Sequence, residues 1–146
     1  MKRIIITLSV LFTLAVTTTA FASEVKVSSS VMQAFKARFA DAENITWSQA
    51  NGFTIAEFTL EETKQFAYFN GAGELTVVAQ PLTMKQLSKA QQTGLQKNYA
   101  GYTVVDIYQL EDNEEIKYYA VVENDSKKII LSTSTSKWEV VKSTNK

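Results

Sequence analysis

The sequence predicts an α+β domain built from two tandem units, each a helix followed by four antiparallel strands, joined into one curved sheet with both helices on one face. Two capping boxes, Ser30-Val31-Met32-Gln33 and Thr83-Met84-Lys85-Gln86, each set a hydroxyl three residues ahead of a glutamine. Helically spaced apolar residues follow each box, and alternating strand-like segments follow those. The third observation is a repeat: Phe35, Phe39, Ile45 and Trp47 match Leu95, Tyr99, Val105 and Ile107 at one constant offset. A second match, Phe66-Ala67-Tyr68-Phe69 against Tyr119-Ala120-Val121-Val122, has a slightly smaller offset.

Taken in order, residues 1–22 read as a signal peptide. Lys2 and Arg3 give the positive start, Ile4 to Val16 the apolar stretch, and Ala20-Phe21-Ala22 an A-x-A cleavage site. That run is shorter than the ~20 residues a spanning helix needs, so export to the periplasm or beyond is expected, with no membrane anchor after cleavage. Residues 23–146 then form a single domain, with repeats over 29–80 and 81–142. Ser23 to Ser29 is a polar lead. Helix one is expected over Val31 to Ala40, striped by Val31, Phe35 and Phe39.

Strands are expected around Ile45 and Trp47, over Phe53 to Glu61, over Lys64 to Asn70 and over Glu74 to Ala79. Asn51-Gly52 and Gly71-Ala72-Gly73 supply turns between them. After Pro81, the only proline, a second helix is expected from Met84 to Asn98 with Leu87, Ala90 or Gln91, Leu95 and Tyr99 inward. Strands over Thr103 to Glu111, Ile116 to Glu123, Lys128 to Ser132 and Lys137 to Val141 complete the chain. Two helices cover one face of such a sheet; the other faces water or a partner.

Composition narrows the chemistry. There is no histidine and no cysteine, which removes Ser-His and Cys-His nucleophile systems and the usual zinc and copper ligand sets. Without disulfides the domain depends on its core. Past Ala22 there are 13 basic and 15 acidic side chains, a balance that lacks the basic footprint of nucleic-acid binding. Ser134-Thr135-Ser136-Lys137 matches S-x-x-K but enters a strand instead of opening a helix. Glu111-Asp112-Asn113-Glu114-Glu115 offers oxygen ligands of the kind calcium takes, yet lacks the glycine and spacing of an EF-hand loop, and reads as a solvated hairpin tip. No cofactor or metal is expected.

Aromatic residues carry the positive signal. Trp47, Tyr68, Tyr108, Tyr118, Tyr119 and Trp138 all fall on expected strands, and adjacent Tyr118 and Tyr119 must point to opposite faces. Exposed Tyr and Trp are effective anchors for a protein partner. The expected binding residues are Tyr108, Tyr118, Tyr119 and Trp138, with Asp106 beside them on its strand.

The pattern Phe35-x-x-x-Phe39-x-x-Ala42-x-x-Ile45-x-Trp47, then Ala56-x-Phe58, Tyr68-Phe69 before Gly73, and Leu87, Leu95, Tyr99 and Tyr102 before Val104 resembles the periplasmic PepSY-like proteins, also described as beta-lactamase-inhibitor-like. The resemblance spans nearly the whole chain beyond the signal peptide. It implies tandem helix-plus-four-strand units, export, no catalytic residues, and binding through the sheet face and loops. Two functions compete at this point. One is a non-enzymatic module whose open face binds a protein or peptide; the other is a small-ligand carrier or metal-independent enzyme with a pocket around Asp106. A deep cavity enclosing Asp106 favours the second, and an open aromatic face the first.

Overall fold

A computed structural model describes residues 25–112 and 115–146; the expected signal peptide lies outside the described residues. In chain order the elements are α1 (Ser29–Arg38), β1 (Glu43–Ala50), β2 (Phe53–Leu60), β3 (Thr63–Phe69), β4 (Leu75–Pro81), a 3-10 turn (Met84–Gln86), α2 (Lys89–Asn98), β5 (Thr103–Glu111), β6 (Ile116–Glu123), β7 (Lys127–Thr133) and β8 (Glu139–Asn145). The eight strands form one antiparallel sheet in sequence order, so every connection joins neighbours. The fold is α+β, with a curved open sheet.

Both helices start earlier or later than their capping boxes suggest. Ser28, not Ser30, caps α1, its hydroxyl accepting from Val31 N–H at 3.3 Å. The Thr83 box forms, with Gln86 Oε1 accepting from Thr83 N–H at 2.7 Å, but it opens just the 3-10 turn. Leu87 then takes an extended backbone, ψ 153°, so its side chain drops into the core. Ser88 starts α2 with a second box, accepting from Gln91 N–H at 3.2 Å while Gln91 Oε1 accepts from Ser88 N–H at 3.0 Å. Local capping chemistry was satisfied twice within six residues, and burial of Leu87 decided which start leads to the helix.

Two hairpins turn on paired positive φ angles. Asn51 and Gly52 have φ 51° and 81°, which suits their residue types. Glu61 and Glu62 have φ 48° and 61°, a geometry that non-glycine residues adopt at a cost. The exposed position and strand pairing from Leu60↔Thr63 onward hold it. Gly73 packs against α1, where a Cβ would collide with the Ser30 side chain.

The helix-covered side holds two clusters. Under α1, Phe35 meets Phe58 at 5.1 Å, Trp47 at 5.2 Å and Phe39 at 5.3 Å between ring centroids, and Val31, Ala56, Ala67 and Phe69 close the set. Under α2, Leu87, Leu95, Ile107, Ala120, Val122, Ile129, Leu131 and Trp138 pack together. Arg38 at the end of α1 reaches Glu111 on β5 at 3.2 Å.

The ladder register shifts in the β1–β2, β3–β4, β5–β6 and β7–β8 pairs. Such bulges add twist and bend to a sheet. The second sequence match pairs strands that are not equivalent in order, because Phe66–Phe69 lie on the third strand after α1 and Tyr119–Val122 on the second after α2. A run of four apolar residues recurs in any strand apolar on both faces, which is why the two segments look alike.

Candidate functional site

Directly paired residues in an antiparallel ladder point to the same side, so the register alone sorts the faces. Ile55↔Tyr68↔Val77, Ala79↔Leu110, Tyr108↔Tyr119↔Ser132 and Asp106↔Val121↔Ile130 all lie on the side away from the helices. On that side Ile55, Phe66, Tyr68, Val77 and Ala79 form a third buried cluster, flanked by Ala50, Phe53 and Leu110. It contains no residue of either helix. Tyr68 is nevertheless only 3% exposed. With no covering element among the described residues, the sheet itself must curl so that neighbouring strands shield the ring.

The Tyr68 hydroxyl is buried without a hydrogen-bond partner. Burial first, and the neighbouring Tyr108 second, push its pKa well up from the ordinary tyrosine value, so it keeps its proton. Tyr108 and Tyr119 are half-buried beside it on this face. Burial raises the Tyr108 pKa, with the Asp106 carboxylate adding to the effect. Burial likewise raises that of Tyr119, opposed by Lys117. The three phenols therefore act at neutral pH as apolar rings with hydrogen-bonding tips and not as bases.

Of the five expected site residues, the face brings together Asp106, Tyr108 and Tyr119. Tyr118 faces the helices and packs on the α2 cluster. Trp138 is also on the covered side, 6% exposed, its indole Nε1–H donating to Gln91 O at 2.9 Å. It cannot serve as an exposed anchor. The reason is its place ahead of β8, in a loop fastened to α2 by Gln91 Nε2 donating to Thr135 O at 2.9 Å. Helical Gly94 adds to the fit, since its hydrogen leaves room for the indole edge.

Asp106 is exposed. It borders an open groove of about 410 Å³, not a deep enclosure. The described acids of the acidic turn have partners nearby: Asp112 Oδ1 accepts from Glu115 N–H at 2.9 Å, Glu115 pairs with Lys117, and Glu111 with Arg38. Among the described residues no group of three acidic side chains is arranged to hold a metal ion. Ser134 to Lys137 form an exposed loop with no helix.

Sequence reasoning missed Ile55, Phe66, Val77 and Ala79, and set Tyr68 among the strand aromatics without choosing it. The signal was present in Phe66-Ala67-Tyr68-Phe69, where four consecutive apolar residues leave no polar face.

No protein-family model matches the sequence, and no curated protein matches it. Solved structures do. A DUF2874 family protein from Bacteroides ovatus superposes with a TM-score of 0.73 at 20% identity, covering 83% of this chain and 89% of that one. A BLIP-like protein from Bacteroides fragilis gives 0.71 at 20% identity, covering 84% and 89%. The chain has the BLIP-like fold. A Bacteroides eggerthii protein provisionally described as periplasmic gives 0.72 at 18%, covering 83% and 90%. The inhibitor-like resemblance read from the sequence thus has its counterpart in fold neighbours, and at these identities they speak for the BLIP-like fold alone. No helix among the described residues is long and apolar enough to cross a membrane.

Proposed function

We propose that this chain is an exported, non-enzymatic binding module of the periplasm that recognises a protein or peptide through the sheet face its helices leave bare. One observation carries the reading. Phe53 on β2, Tyr108 and Leu110 on β5 and Tyr119 on β6 stay half-buried around an apolar cluster to which neither helix contributes. A solvent-facing sheet surface normally alternates to polar residues, so half-buried aromatic rings at the rim of an apolar cluster are suited to anchor a partner. The absence of histidine and cysteine, and the open setting of Asp106, support binding over catalysis. The A-x-A signal and the fold neighbour described as periplasmic support the location.

The same frame supports an origin by duplication. The caps Ser28 and Ser88, the helices starting at Ser29 and Lys89, and the strands starting at Glu43 and Thr103 recur at the offset seen in the sequence.

The test is retention of periplasmic proteins by the immobilised native chain and by a Tyr108→Ser, Tyr119→Ser variant, with Arg38→Ala as a covered-side control. The expected result is a retained protein that the double variant loses by roughly tenfold and the control keeps. Equal retention by all three overturns the assignment of this face.

A further inference from the structure

The sheet has a notch between β4 and β5. Their ladder runs from Val78↔Glu111 to Pro81↔Tyr108 and closes with Leu82 N–H donating to Ile107 O at 2.8 Å. The chain then leaves for the 3-10 turn, so Thr103 to Asp106 have β6 on one side and no strand on the other. A groove of about 410 Å³ fills the gap. Pro81, Leu82 and Met84 make one wall; Val104, Asp106 and Tyr108 make the other.

Two features define what fits there. The β5–β6 register shifts between Val104 and Asp106, leaving Val105 as an extra residue, 44% exposed. A bulge at an open edge prevents a regular ladder from continuing, so the notch suits a side chain better than an added strand. Its volume falls toward the lower end of the ~300–1,000 Å³ of small-ligand pockets. The second feature is charge. Asp106 belongs to none of the pairs that join Arg38 to Glu111, Lys64 to Glu57, Lys117 to Glu115 and Lys146 to Glu123. An exposed carboxylate lining a groove walled mainly by apolar residues, two positions from a tyrosine on the same side of its strand, is the complement of a long aliphatic stem with a cationic head.

We propose that this notch receives one basic side chain, arginine above all, from the partner protein, its stem lying on Pro81, Leu82 and Met84 and its guanidinium meeting Asp106 and the Tyr108 ring. The inference rests on the bare face being the binding side and adds what that side reads. Arginine suits the site better than lysine because a planar guanidinium both pairs with a carboxylate and stacks on an aromatic face.

The experiment is an NMR titration of the labelled protein with the probe acetyl-Gly-Arg-Gly-amide, and with its citrulline counterpart, which keeps the shape and lacks the charge. The arginine probe is expected to give saturable shifts at Leu82, Val104 and Tyr108, with about fivefold weaker binding for citrulline. Asp106→Asn, an exposed and nearly isosteric change, is expected to weaken the arginine probe by about the same factor and leave citrulline unaffected. Equal binding of the two probes, indifference to Asp106→Asn, or no saturable response to arginine overturns the proposal. Shifts confined to Tyr119 and Ser132 also overturn it, while leaving the wider face as a binding surface; a partner lost by a Tyr119→Ser single variant, whose notch is intact, but kept by Asp106→Asn overturns the notch in the same way and upholds the face.

Discussion

The two halves of the sheet share a frame and differ in what fills it. Under α1 the core is aromatic, with Phe35, Phe39, Phe58, Phe69 and Trp47 in mutual ring contact. Under α2 it is mainly aliphatic, and the helix presents Gln91 where α1 presents Val31. Gln91 is 4% exposed with its amide satisfied on both sides, by Ser88 N–H and Thr135 O. It fastens the β7–β8 loop, and with it Trp138, whereas the equally long β3–β4 loop in the first half is closed locally by Asn70 Oδ1 accepting from Ala72 and Glu74 N–H. The bare sides differ too. The first half buries its apolar cluster by curvature, while the second presents Tyr108, Tyr119 and Asp106 to solvent. A common backbone therefore does not divide the work equally: the first half supplies a rigid base and the second the groups that a partner can reach.

That contrast can be broken first at the cores. Phe35→Ala is expected to cost about 3–5 kcal/mol, because its four aromatic neighbours cannot close around the void, and Leu95→Ala about 2–4 kcal/mol. Denaturant midpoints measure both; a smaller loss for Phe35 than for Leu95 removes the distinction between the halves. Gln91→Leu sharpens it at the tether. Filling the space while leaving Ser88 N–H and Thr135 O unpaired is expected to cost about 1–3 kcal/mol, and to move the Trp138 fluorescence as its loop loosens. A stability unchanged by this substitution shows that water replaces the amide.

The smallest effect lies on the bare face. Tyr68→Phe removes a buried hydroxyl that has no partner, so stability is expected to rise by about 1 kcal/mol or stay level. The pH profile checks the cause. The folded chain holds the Tyr68 proton above the ordinary value of 10.0, while the unfolded chain releases it there. Stability is therefore full below pH ~10 and falls as pH rises beyond it. Tyr68→Phe is expected to flatten that alkaline fall; an unchanged slope shows that other groups produce it.

Sequence by itself determined the order of elements. Helical spacing at Val31, Phe35 and Phe39, the turn chemistry of Asn51-Gly52, and alternation along the strands are local properties that few contacts can overrule. Tertiary structure decided what those local signals leave degenerate. Thr83 and Ser88 both satisfy a capping box, and burial of Leu87 chose between them. Tyr118, Tyr119 and Trp138 are equally good anchors as residue types. Ladder register turned Tyr118 toward the helices, and the Gln91 contacts drew Trp138 into the core. Facing depends on parity summed across several strands and bulges, and a bulge at Val105 reverses it with one residue. Which side of the sheet a residue occupies is thus fixed by pairing partners far away in the chain, information that no local window contains.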